Sequence, residues 1–175
     1  MLMLTFDPIF AKTLAQRSQL TVLALPPDLQ FGDLSRLDQP QLDFYQLKVA
    51  HLGLGQWAPE VDAQTLQTQD RTAINALQTA IEANTPLCVW WTEVPNDIVG
   101  LWWLADRCAQ HDRLLSQVHV PTVLPHPTSP KLTQISHLAD LTPDEIAPLA
   151  NTATTLSKQT VKKLSARLAR SSPSA

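Results

Sequence analysis

Glycine, cysteine and long apolar runs are all scarce in this chain, and each scarcity removes a class of function. Four glycines in 175 residues cannot build a glycine-rich phosphate cradle, and neither the P-loop pattern nor GxGxxG occurs. The two cysteines have no CxxC partner and no histidines at metal spacing, so a disulfide framework and a cysteine-based zinc site are both excluded. Cys88 and Cys108 read instead as reduced core thiols. No apolar run reaches the roughly 18–20 residues that span a bilayer. The N-terminus, MLMLTFD, has no basic region and meets an acid at residue 7, so it reads as a strand rather than a secretory signal. The expected compartment is the cytoplasm. Neither a GxSxG elbow nor a cysteine–histidine signature is present to support nucleophilic catalysis.

What is there describes an ordinary globular chain. Hydrophobic residues make up 44% and charged residues 17%, and a chain of this length buries a core without disulfides or metals. The charge is unevenly spread. Residues 1–156 hold all 16 acids and eight Lys or Arg, a net of −8, whereas residues 157–175 hold five cations and no acid. The net value of −3 hides an acidic body and a basic tail.

Apolar runs alternate with helical patterns, which predicts α/β architecture: three layers, a mostly parallel sheet of about four strands, and a helical C-terminal extension. Residues 1–6, 20–25, 87–91 and 116–124 read as the strands, the last interrupted by Pro121 and therefore at an edge or ending early. Asp7 and Pro8 suit the start of a first helix. Residues 40–52 form a second, with Asp38 as its cap and Gly53 as its stop. Asp62 caps a long helix to about residue 83, in which Ile74, Leu77 and Ile81 share one face. Asn96 or Thr92 caps a helix over 97–110. Thr142-Pro143-Asp144-Glu145 is a capping box, and a last helix covers 154–170. The expected division is an α/β domain over 1–125, a proline-rich linker over 126–131, the helical extension over 132–170 and a disordered tail over 171–175. The expected strand order is 2-1-3-4, with the topological switch between the strands ending at Asp7 and Trp91.

Acids cluster where the apolar runs end, and open α/β folds bind ligands at that edge. Asp7, Asp28, Asp33, Glu93 and Asp97 fall there, with Gly32 in the second loop and His126 just past the last strand. Clustered carboxylates suit a divalent cation such as Mg²⁺ or acid–base work, with Glu93 the favoured base. His126, between prolines, is either a second base or merely solvent-exposed. Trp90 and Trp91 point to opposite faces of their strand, and Trp91 is nearest the acids, where an indole wall would suit a flat or sugar-like ligand. One of Trp102 and Trp103 belongs in the core, the other near the rim. Each acid also has a plainer role: Asp7 and Asp97 as helix caps, Asp28 and Asp33 as turn residues.

Residues 1–125 resemble an uncharacterised bacterial family, domain-of-unknown-function family 1835. The resemblance rests on a first strand closing on an acid, Leu4-Thr5-Phe6-Asp7; on a second strand followed by Asp28-Leu29-Gln30-Phe31-Gly32; and on Val89-Trp90-Trp91 leading through Asp97 to Leu101. Phe6 stands where the family usually has glycine, and Gly32-Asp33 where it often has Gly-Pro. The resemblance implies an α/β fold and no particular activity.

Two functions are compatible with this sequence. One is a small-molecule or nucleotide-binding domain, with or without catalysis, whose ligand contacts are Asp7, Asp28, Gly32, Trp91, Glu93 and Asp97. The other is a non-catalytic regulatory module that binds a protein partner. The basic helix at the C-terminus carries Val161, Leu164 and Leu168 on one stripe but no aromatic residue. Docking of that stripe on the domain is favoured over nucleic-acid or membrane binding.

Overall fold

The computed structural model describes residues 1–18, 20–26, 42–52, 62–111, 114–125 and 132–171. A five-stranded sheet forms its centre. Strands β1 (Leu2–Thr5), β2 (Val22–Ala24), β3 (Leu87–Thr92) and β4 (Leu115–Val120) are parallel and lie in the order β2-β1-β3-β4. A two-residue strand, β7 (Thr154–Thr155), adds antiparallel to the outer side of β4. Of the two outcomes that Pro121 suggests, an edge strand or an early end, β4 shows the second. Pro121 ends β4, and β5 (Val123–Pro125) leaves to form a separate hairpin with β6 (Leu132–Gln134).

The helices cover both faces. α1 (Pro8–Ser18) and α5 (Pro143–Ala150) lie on one face, where Phe10, Leu14 and Ile146 pack with Met3, Cys88 and Trp90. On the other face, α3 (Ala63–Glu82), α4 (Pro95–Arg107) and α6 (Lys158–Ser171) bring Leu77, Leu104 and Val161 against Leu4, Val89 and Leu115. Alternate residues of β3 thus serve opposite cores, as a central parallel strand requires. α2 (Leu42–Leu52) packs on α3 through a buried pair, Lys48 Nζ to Asp70 Oδ2 at 3.8 Å.

Local chemistry explains most of the element ends. The Asp62 carboxylate accepts the Thr65 N–H at 2.7 Å and starts α3. The Glu145 carboxylate accepts both the Thr142 N–H and its hydroxyl at 2.7 Å, closing the box at the head of α5. Asn84, at φ 51°, turns the chain after α3 in the left-handed region that asparagine tolerates. α4 departs from the sequence expectation. It begins at Pro95 with Val94 as its N-cap and no capping side chain, so neither Thr92 nor Asn96 fills that role. The final helix begins at Lys158 rather than residue 154, because Thr154 and Thr155 pair with β4.

Segment 132–171 packs on both faces of the sheet. Ile135, Leu138, Leu141 and Ile146 join the α1 core. Val161 and Leu168 are buried against α4, and the Ser165 hydroxyl donates to Asp106 Oδ1 at 2.6 Å. The apolar stripe of the basic helix is thus docked, and its Lys and Arg side chains point outward. No described helix is long and apolar enough to cross a membrane.

Phe6 is fully buried, and its ring lies flat on α4 at Gly100, where an added Cβ would sit 2.5 Å from the ring. The bulk of the Phe6 ring is thereby accommodated by a glycine on the facing helix.

Candidate functional site

The chain leaves β1 for α1 on one face and leaves β3 for α4 on the other. Adjacent parallel strands that part in this way open a crevice at their C-terminal ends. Two predicted residues, Asp7 and Asp97, flank that crevice, each in or next to the first turn of its helix.

Asp7 is half-buried and occupied. Its Oδ1 accepts the N–H groups of Ile9 and Phe10, each at 2.9 Å, which caps α1. Its Oδ2 accepts the N–H of Ala139 at 3.0 Å, in a 3-10 turn (Leu138–Asp140) more than 130 residues later. A carboxylate that serves three backbone donors has little capacity left for a cation.

Asp97 is held differently. It is only 4% exposed, and Oδ2 accepts the Thr92 N–H at 2.9 Å. Burial pushes its carboxyl up to about 6, and the nearby negative charge of Asp7 adds to the effect. The Thr92 N–H and the His137 side chain act in the opposite direction. Thr92 itself is buried, and its hydroxyl has no hydrogen-bond partner. The ends of β1 and β3 therefore bring together a carboxyl raised by burial, a second acid that caps α1, and the His137 side chain.

Trp91 and Glu93 lie together, and the histidine beside them was not foreseen. Trp91 pairs in register with His119 of β4; the two rings are 4.5 Å apart and inclined by 32°. The Trp91 indole N–H donates to Gln117 Oε1 at 3.1 Å, and His119 Nε2 lies 3.3 Å from Glu93 Oε1. Trp91 packs on the α4 face, with Val89, whereas Asp7 caps a helix of the opposite face. The predicted residues are thus divided between an acid pair and an aromatic–histidine cluster. Glu93, the base expected from sequence, is exposed beside His119, and the raised carboxyl belongs to Asp97.

Asp28, Gly32, Asp33 and His126 lie outside the described residues, as do the expected cap Asp38, the stop Gly53 and the tail 172–175. Among the described residues no three His, Cys, Asp or Glu side chains are grouped to hold a metal ion. His119 could have been found from the parallel register, which sets residue 119 opposite residue 91. His137 had no local signal, because only the folded chain carries the 3-10 turn back to Asp7.

The tryptophan pairs sort by face as their spacing requires. Trp90 and Trp103 are fully buried, and Trp91 and Trp102 are half-buried. Cys88 and Cys108 are buried free thiols; burial raises both, Cys108 to about 12, and that makes them poor nucleophiles.

No protein-family model matches this chain, and no curated protein or solved structure does so.

Proposed function

We propose that this chain is a small-molecule-binding α/β domain of the cytoplasm, with its site in the crevice between the ends of β1 and β3. The observation that carries this reading is Asp97: an acid buried at a topological switch point, raised toward neutrality, with another acid and a histidine close enough to act on it. A purely structural carboxylate is normally met by several donors, as Asp7 is by three backbone N–H groups. Asp97 has one backbone donor and pays the desolvation of burial.

The site favours a ligand with hydroxyl or amine donors. Two acids repel a strongly anionic group, and Asp7, already serving three backbone donors, leaves little capacity for the bridging Mg²⁺ that a nucleotide would need. Asp97 supplies the group that takes or gives a proton, and Asp7 fixes the first turn of α1 beside it. The kinship with family 1835 belongs to the same proposal. The rival reading, a protein-interaction module, calls for a contiguous apolar surface. The exposed large apolar side chains among the described residues, such as Ile9, Leu47 and Leu132, are spread over α1, α2 and the β5–β6 hairpin.

The test is a thermal-shift screen of the whole chain against sugars, amines, nucleotides and divalent cations, repeated with Asp97→Asn. The expected result is a saturable rise in midpoint for a polyol or amine, whose affinity changes around pH 6 in the wild type and not in the variant. A ligand that binds both proteins with the same pH profile would remove Asp97 from the site.

A further inference from the structure

A cavity of about 660 Å³ lies on the α1 face, away from the acid pair, between α1 and α5. Of the eight residues of α5, only Glu145 and Ile146 are buried. Leu14, Trp90 and Ile146 are buried beneath the cavity floor, and Leu20, Ala147 and Ala150 supply the accessible apolar wall. The Trp90 side chain is fully buried, and its indole N–H has no acceptor. Such a volume is within the range of small-molecule pockets, which combine apolar walls with a few polar groups.

The polar groups at its mouth carry both signs. Arg17 comes from the last turn of α1 and Asp144 from the first turn of α5, and both line the cavity. Both side chains are exposed, and neither has an ion-pair partner among the described residues. One cation and one anion over an apolar floor are complementary to a zwitterion with an apolar body.

We infer that this cavity is a second ligand site, built for an aromatic α-amino acid. The carboxylate of the ligand meets the Arg17 guanidinium, its ammonium meets the Asp144 carboxylate, and its ring lies against Leu20, Ala147 and Ala150. A guanidinium is well matched to a carboxylate. Either charge alone on the ligand leaves one rim group unanswered and brings the other into repulsion or solvent. This site is independent of the crevice between β1 and β3, so Asp97→Asn does not affect it.

The experiment compares L-phenylalanine, 3-phenylpropionate and phenethylamine by thermal shift and calorimetry on the whole chain. L-Phenylalanine gives a saturable rise of roughly 3–6 °C at about ten times its Kd, and each singly charged analogue binds about tenfold more weakly. Arg17→Ala abolishes the preference over phenethylamine, and Asp144→Asn abolishes the preference over 3-phenylpropionate. Both substitutions are at exposed positions and leave the fold intact. Ala150→Phe, which fills the cavity from α5, removes binding of all three compounds. Absence of saturable L-phenylalanine binding overturns the proposal. So does equal binding of the three compounds, or binding that is unchanged in Arg17→Ala and Asp144→Asn.

Discussion

Asp7 and Asp97 stand at the ends of neighbouring strands, yet the fold treats them in opposite ways. Asp7 is half-buried and is met by three backbone N–H groups. Asp97 is buried with one. The first is a bracket that ties α1 to the 3-10 turn. The second is a charge kept under desolvation, with Asp7 adding repulsion. Position at a strand end therefore does not decide the role of an acid; the balance of donors against burial does.

The largest expected effect separates the two acids by pH. The carboxyl of Asp97 is raised from 3.8 to about 6 in the folded chain. Between those values the folded state keeps a proton that the unfolded state has released, so stability falls as pH rises. The contribution is fully present below about pH 4 and is lost through about pH 6, on the order of 2–3 kcal/mol. Urea denaturation of wild type and Asp97→Asn at pH 4 and pH 7.5 measures it. The variant should lack this fall and be the more stable protein at pH 7.5. Equal pH dependence in the two proteins would mean that Asp97 is not the strained acid.

The second effect runs the other way. Asp7→Ala removes the cap of α1 and the link to Ala139, at a cost of roughly 2 kcal/mol. Asp7→Asn keeps an oxygen for the cap and should lose about half as much. Hydrogen exchange should show the extra opening in α1 and in residues 138–140. If Asp7→Ala is as stable as the wild type, the bracket role is wrong.

A smaller effect tests how the crevice is framed behind the acids. Gly100→Ala drives a Cβ into the Phe6 ring and should cost about 1–2 kcal/mol, even after the better helix propensity of alanine. Phe6→Leu in the same chain should recover most of that loss, and a thermal melt of the two single variants and the double variant reads the coupling. The smallest effect is a control distant from both acids. Ser165→Ala loses one hydroxyl bond to Asp106 at an exposed site and should cost about 0.5 kcal/mol at most. A larger loss on chemical denaturation would give the docking of α6 more weight than its exposed polar contact suggests.

Local chemistry made much of the fold legible in the sequence. The cap at Asp62, the box at Thr142 and Glu145, and the shared face of Ile74, Leu77 and Ile81 are contacts within three to seven residues, so spacing alone specifies them. The expected order of the four parallel strands agrees with the sheet, but sequence does not dictate it: the two single-helix crossovers make β1–β2 and β3–β4 neighbours and leave the β1–β3 pairing open. The two-residue strand β7 escaped, because pairing so short leaves no period to read and exists only when β4 is there to receive it. The candidate site was legible as a cluster of acids at the strand ends and not as a mechanism. Asp7 and Asp97 look alike in sequence, each just past an apolar run. Only the tertiary structure brings Ala139 and His137 to them and closes the core over Asp97. The sequence by itself determined which residues reach the sheet edge, because strand length and alternation are local properties. The folded chain decided which of them is charged at a cost, because desolvation and Coulomb interaction depend on distance in space, and the partners here lie up to 132 residues apart along the chain.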